Sequence, residues 1–174
     1  MKRIVTVTVL NQSGVLNRIT GLFTRRQFNI ESITVGPTET EGISKITVIV
    51  HVEDDRTAEQ VLKQLNKQVD VLKVADITEQ AVVSRELALI KVLTTPQTRA
   101  EINVIIEPFR ATIIDVAKDS VTIQVVGNFE KIEAMIDLLR PYGIKDMART
   151  GQTALKRGSQ KQVLDAKPTT LLNY

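Results

Sequence analysis

The segment Leu10-Asn11-Gln12-Ser13-Gly14-Val15-Leu16-Asn17-Arg18-Ile19 holds the residues best placed to bind a ligand. A strand pattern ends at Leu10, a polar turn follows, and a helical pattern opens at Gly14. The first N–H groups of a helix have no partner within it, so those of Gly14, Val15 and Leu16 make a seat for a carboxylate or a phosphate. Gly14 allows close approach because it has no Cβ. The Asn11 amide both donates and accepts, which suits a zwitterion. The competing explanation is a helix start that binds only water and its own cap.

Catalytic chemistry has weaker candidates. The 174 residues contain no Cys and one His, which excludes thiolate nucleophiles, disulfides and a multi-His metal site within one chain. That histidine, His51, lies between Val50 and Val52 and reads as an ordinary strand residue. Asp54 and Asp55 directly precede a helical stripe, where N-capping and the helix dipole explain them. No nucleophile elbow, phosphate-loop lysine or zincin helix occurs, and Gly14 and Gly21 are too far apart for a dinucleotide fingerprint. We therefore expect no catalytic residue and no metal site on this chain.

The composition agrees. With 43% hydrophobic residues the chain can bury a core, and a net charge of +3 is too small for a protein built for polyanions. No apolar run is long enough to span a membrane. Met1-Lys2-Arg3 before Ile4–Leu10 imitates a signal peptide, but no small-residue cleavage site follows. A cytoplasmic protein without a membrane partner is the default expectation.

The elements that position these residues follow from periodicity. Val5, Val7 and Val9 alternate in a β-branched run, so residues 4–10 form a strand. Val15, Leu16, Ile19, Leu22 and Phe23 form a helical stripe. Strands follow over 29–37 and 43–52, then a helix starting at Thr57 with Gln60 as a capping-box partner, then a strand over 69–77. The second half repeats the order: a strand over 86–93, a helix from Pro96, strands over 111–117 and 121–126, a helix capped by Asn128, and a strand over 143–149. The Phe129, Ile132, Ile136 and Leu139 stripe points that last helix at its core.

Both halves thus read β-α-β-β-α-β. The fold class is α+β, two ferredoxin-like units, each a four-stranded sheet with two helices on one face. We place the first unit at 1–78, the second at 79–158, and a polar tail at 159–174. From Thr150 onward the chain lacks clear periodicity. The helix-free sheet faces would carry Ile4, Thr6, Thr8 and Leu10 in the first unit and Leu87, Leu89 and Leu93 in the second. Such partly apolar faces call for packing against a domain, a subunit or a short tail. RNA-recognition modules share this element order, but they stack bases on aromatics in the central strands. Residues 44–50 and 121–126 contain none, so an RNA-binding module is the runner-up reading, and a small stand-alone enzyme comes third.

The Leu10–Ile19 segment, together with Phe28-Asn29-Ile30-Glu31-Ser32-Ile33, resembles the opening of an ACT domain. With Lys67–Val71, Arg85–Val92, Arg140-Pro141-Tyr142-Gly143-Ile144 and Ala148-Arg149-Thr150-Gly151, it resembles the family of small regulatory subunits of acetohydroxyacid synthase, or acetolactate synthase. The motifs run in order from residue 2 to Gly158. One departure is Ser44-Lys45-Ile46-Thr47, where an S-R-M-T stretch is expected; the charge is kept. The resemblance implies a non-catalytic subunit that activates a large catalytic subunit and confers feedback inhibition, usually by valine, in branched-chain amino-acid biosynthesis. Thiamine diphosphate, FAD and magnesium would sit on the large subunit, and none on this chain. The ligand would lie where two ACT domains meet in a homodimer. Asn11, Gly14, Asn29 and Ile30 match positions tied to that site, beside the helix-start residues Val15 and Leu16.

Overall fold

Two alternating-strand patterns, each interrupted by two amphipathic helices, become two sheets. The computed structural model describes residues 1–158. Its first unit runs β1 (Lys2–Leu10), α1 (Val15–Arg25), β2 (Asn29–Pro37), β3 (Ile43–His51), α2 (Asp55–Asn66) and β4 (Val71–Asp76). The sheet is antiparallel, in the order β2-β3-β1-β4. The second unit runs β5 (Val82–Leu93), α3 (Pro96–Ile106), β6 (Thr112–Val116), β7 (Ser120–Gly127), α4 (Phe129–Leu139) and β8 (Ile144–Arg149), in the order β6-β7-β5-β8. The fold is α+β with two ferredoxin-like units. The expected tail at 159–174 lies outside the described residues.

Caps set the helix starts. Asp54 accepts a hydrogen bond from Thr57 N at 2.7 Å, so α2 begins ahead of Thr57 and the expected Thr57–Gln60 box gives way to an aspartate cap. Asn128 caps α4 by accepting from Lys131 N, as its position predicts. Thr95 and Thr98 cap each other's backbone ahead of Pro96.

Each unit has its own core. Val5, Val7 and Val9 face α1 and α2, against Ile19, Phe23, Val61 and Leu65. Ala88, Ile90 and Val92 face α3 and α4, against Ile102, Ile132 and Met135. Phe129 departs from its predicted stripe. It is 36% exposed, with the Lys2 ammonium 4.7 Å from its ring centre and the Arg149 guanidinium at 5.1 Å. Two cations hold a ring that periodicity assigned to the core.

A ninth strand was not legible in the sequence. β9 (Thr153–Lys156) pairs with Val82–Arg85, the first part of β5, whose later residues pair with β7 and β8. The residues leading into β9 cross the outer face of the first sheet. Gln152 N donates to Ser32 Oγ at 3.1 Å, and Thr34 Oγ1 donates to Gln152 O at 3.1 Å. On that face Ile49 is fully buried, and Thr6, Thr47 and the arriving Ala154 are buried too. Part of the leftover face is therefore covered from within the chain. On the second sheet Leu93 and Val126 stay exposed.

The crossing is tight at Gly151. A Cβ there would meet Ser32 Oγ at 2.6 Å, Thr34 Oγ1 at 2.7 Å and the Ile33 carbonyl at 3.0 Å. Two of these atoms are fixed by their bonds to Gln152, so they cannot yield. Gly151→Ala should cost about 1–3 kcal/mol, the usual range for overpacking, read as a lower urea midpoint. An unchanged midpoint would show that the crossing tolerates a methyl group.

Candidate ligand site

The β1–α1 turn is built on Gly14, which takes φ +83° as the α1 N-cap. A side chain there would be strained, so glycine is required by conformation as well as by access. Of the three N–H groups expected to be free, that of Val15 is used, donating to Gln12 O at 3.3 Å. Those of Gly14 and Leu16 have no backbone partner among the described residues. The Val15 side chain is buried in the first core, so Val15 can offer only backbone. Leu16 is 45% exposed and presents an apolar side chain beside the turn. Asn11 is exposed, its N–H tied to Gly42 O at 2.8 Å.

Arg18 lies off the apolar stripe, and the sequence pattern of the turn does not single it out. Its guanidinium comes over the turn, with Nη1 only 3.1 Å from where a Gly14 Cβ would sit. Asp70 holds it there, accepting from Nε at 2.8 Å and lying 2.6 Å from Nη2. A cation beside two free N–H groups makes the turn a better carboxylate seat than the helix start alone. The usable signal was the four-residue spacing from Gly14 to Arg18, one helical turn.

Asn29 and Ile30 lie elsewhere. Asn29 opens β2 and pairs with His51, while Leu10 pairs with Ile43 at the other end of β3. Eight residues of strand separate these ends, about 27 Å. One chain therefore does not bring Asn29 to the Asn11–Gly14 turn. Ile30 packs partly against the first core, so its backbone is what it can offer a ligand. β2 is an edge strand, paired only with β3.

The Asn29 end carries a charged cluster. Glu31 accepts from Lys2 Nζ at 2.6 Å and lies 2.7 Å from Nε2 of His51. Across the junction, Arg149 bonds Glu86 and Glu133, each at 2.5 Å. Glu86 is 4% exposed, so Arg149 neutralises a buried carboxylate. Burial works against ionised Glu31, yet the hydrogen bonds from Lys2 and His51 hold its carboxyl below the ordinary glutamate range. His51 sits exposed at the end of β3, serving this cluster. Among the described residues no group of three or more His, Asp or Glu could hold a metal ion. No described helix is long and apolar enough to cross a membrane. The outer face of β1 and β3 presents Thr6, Thr8, Lys45 and Thr47, without the aromatics an RNA-recognition sheet uses.

Comparison with known proteins matches two family models. Residues 5–73 match the small subunit-like ACT domain of acetohydroxyacid synthase, and residues 85–158 match the small subunit of acetolactate synthase. The acetolactate synthase small subunit of Bacillus subtilis is 63% identical over 172 residues, covering 99% of this chain and 100% of the relative. A probable acetolactate synthase small subunit of Archaeoglobus fulgidus is 51% identical, covering 92% of this chain and 100% of its own. The crystal structure of the Thermotoga maritima acetolactate synthase small subunit superposes with a TM-score of 0.85 at 40% identity, covering 92% of this chain and 99% of that one.

The charged cluster has a pH signature. A carboxylate whose value is lowered on folding stabilises the native state above its unfolded value, and that contribution is lost as pH falls through the lower folded value. The parent should therefore lose more thermal stability than Glu31→Gln between neutral and acidic pH, read as the change in unfolding midpoint. Equal losses in the two proteins would show that the Lys2–Glu31–His51 cluster does not contribute to acid sensitivity.

Proposed function

The chain belongs to the acetolactate synthase small subunits, and from that premise we propose that it is a regulatory subunit sensing valine or a related branched-chain amino acid. It does so as a homodimer bound to a large catalytic subunit in the cytoplasm. The chemistry resides on that large subunit, with its thiamine diphosphate, FAD and magnesium. This chain raises the large subunit's activity and makes it sensitive to feedback inhibition.

The observation that carries the reading is the division of the site between the two ends of a sheet whose β2 edge is unpaired. Pro37 pairs with Ser44, next to the Ile43–Leu10 pair that leads into the Asn11–Gly14 turn. Asn29 is at the opposite end of β2. Two copies meeting edge to edge, with their β2 strands antiparallel about a two-fold axis, set Asn29 of one copy beside Pro37 of the other. Pairing through the β4 edge would leave Asn29 on the far side of both sheets. In the β2 arrangement the ligand carboxylate meets the Gly14 and Leu16 N–H groups and Arg18. The amide oxygens of Asn11 and the second copy's Asn29 take the ammonium. Leu16 covers the aliphatic side chain, and the Ile30 backbone closes the site.

Asn29→Ala is the informative variant, because substitution at Gly14 would add backbone strain to any loss of binding. Removing one hydrogen bond to a charged group costs about 1.5–3 kcal/mol. Valine affinity by calorimetry should therefore fall about tenfold to a hundredfold. Reconstituted with the large subunit, the variant should still activate it while losing valine inhibition. If folded Asn29→Ala keeps full valine affinity, or if activation and inhibition vanish together, this assignment fails.

A further inference from the structure

The outer face of the first sheet carries a basic row that the sensing site does not use. Thr8 of β1 pairs with Lys45 of β3 on one side and with Lys73 of β4 on the other. Residues opposite one another across strands point to the same face. Val7 and Val9 point into the core, so Lys45, Thr8 and Lys73 stand together on the face away from the helices. Two strand spacings put the lysine Cα atoms about 10 Å apart, within convergence of their flexible stems. Lys156 of β9 lines the same cleft, about 400 Å³ in volume, along with Thr6, Thr8 and Ala75.

No carboxylate lines this cleft. The arginines Arg3, Arg18 and Arg149 all have acidic partners. Lys45, Lys73 and Lys156 have none among the described residues. Glu39 lines an adjoining cavity that shares Lys45, but makes no ion pair with it. The Thr8 hydroxyl is also without a hydrogen-bond partner among the described residues. Gathering three like charges in one concavity is unfavourable until an anion enters.

We propose that this cleft binds a small phosphate-bearing polyanion, with at least two linked phosphate groups of the kind a nucleoside diphosphate carries. Three ammonium groups spread over this span exceed what one carboxylate can neutralise. Lysine meets phosphate as a point charge, without needing the planar geometry of arginine. A concave site with β9 as one wall fits a small molecule better than the flat face of a protein. The sheet separates this cleft from α1, so the proposal stands independently of amino-acid sensing.

Calorimetry on the full chain with sodium pyrophosphate, at fixed ionic strength, tests it. Pyrophosphate should bind, and sodium sulfate should bind far more weakly. Lys45→Gln and Lys73→Gln keep the stem and lose the charge, and each should weaken pyrophosphate about tenfold. The double variant should abolish binding, with circular dichroism confirming its fold, while Asn29→Ala should leave binding unchanged. Absence of pyrophosphate binding, equal affinity for sulfate, or undiminished binding by the folded double variant would overturn the proposal. So would a double variant that fails to assemble with the large subunit while the parent ignores pyrophosphate, since the row would then dock an acidic protein surface.

Discussion

A βαββαβ unit puts both helices on one face of its sheet, and the opposite face must be covered or remain polar. The first unit meets this constraint both ways, and the layout of the chain follows from it. Toward Ile49 the outer face is closed by Gln152 and Ala154. Toward Leu10 it stays polar, with the Lys45–Thr8–Lys73 row. The cover comes from the far end of the second unit, and β5 makes that possible. Its first residues hold β9, and the rest form the centre of the second sheet. One long strand therefore builds one unit and ties it to the other.

The junction joins polar bridges to a small apolar contact, since Ile49 and Ala154 are buried there outside both cores. Gln152 uses its main chain to bridge Ser32 and Thr34, and the Phe129 ring holds both the Lys2 and Arg149 cations. The two apolar clusters remain separate. Inter-domain contacts of this kind separate at lower cost than a shared core would. β2 is central to the arrangement. Within one edge strand it carries Asn29, the Glu31 carboxylate of the charged cluster, and the two hydroxyls that hold the crossing segment. A change at the start of β2 has only a few residues to travel before it reaches the second unit.

Most of the fold was legible because its signals are local. Alternating valines, the stripe from Val15 to Phe23 and the Asn128 cap each declare their element within a few residues. β9 was not legible: Thr-Ala-Leu-Lys is too short to show a period, and its partner lies some seventy residues upstream. Phe129 was misassigned because periodicity cannot see two cations arriving from outside the helix. The α2 start moved because an aspartate cap ahead of Thr57 competes with a box beginning at it. At the β1–α1 turn, the sequence pattern names backbone donors but not Arg18, whose position depends on Asp70 just ahead of β4. It also could not tell that Asn11 and Asn29 stand at opposite ends of β3, because separation along a strand emerges only from register.

That separation has a thermodynamic consequence if the amino acid is sensed as proposed. A ligand held by groups from two copies binds the pair and not the single chain, so it must favour pairing. The coupling is reciprocal: whatever tightens the β2–β2 contact tightens the ligand by the same factor. A ligand can shift an equilibrium only through differential affinity for its states, and a split site provides that difference by construction. The geometry across the β2 edge is then the variable that the ligand reads and sets. Because the same strand holds the crossing residues through Ser32 and Thr34, a change in that geometry strains the tie to the second unit. Regulation by this route needs no ligand contact with a catalytic centre. It requires only that the large subunit grip the second unit more firmly in one arrangement than in the other.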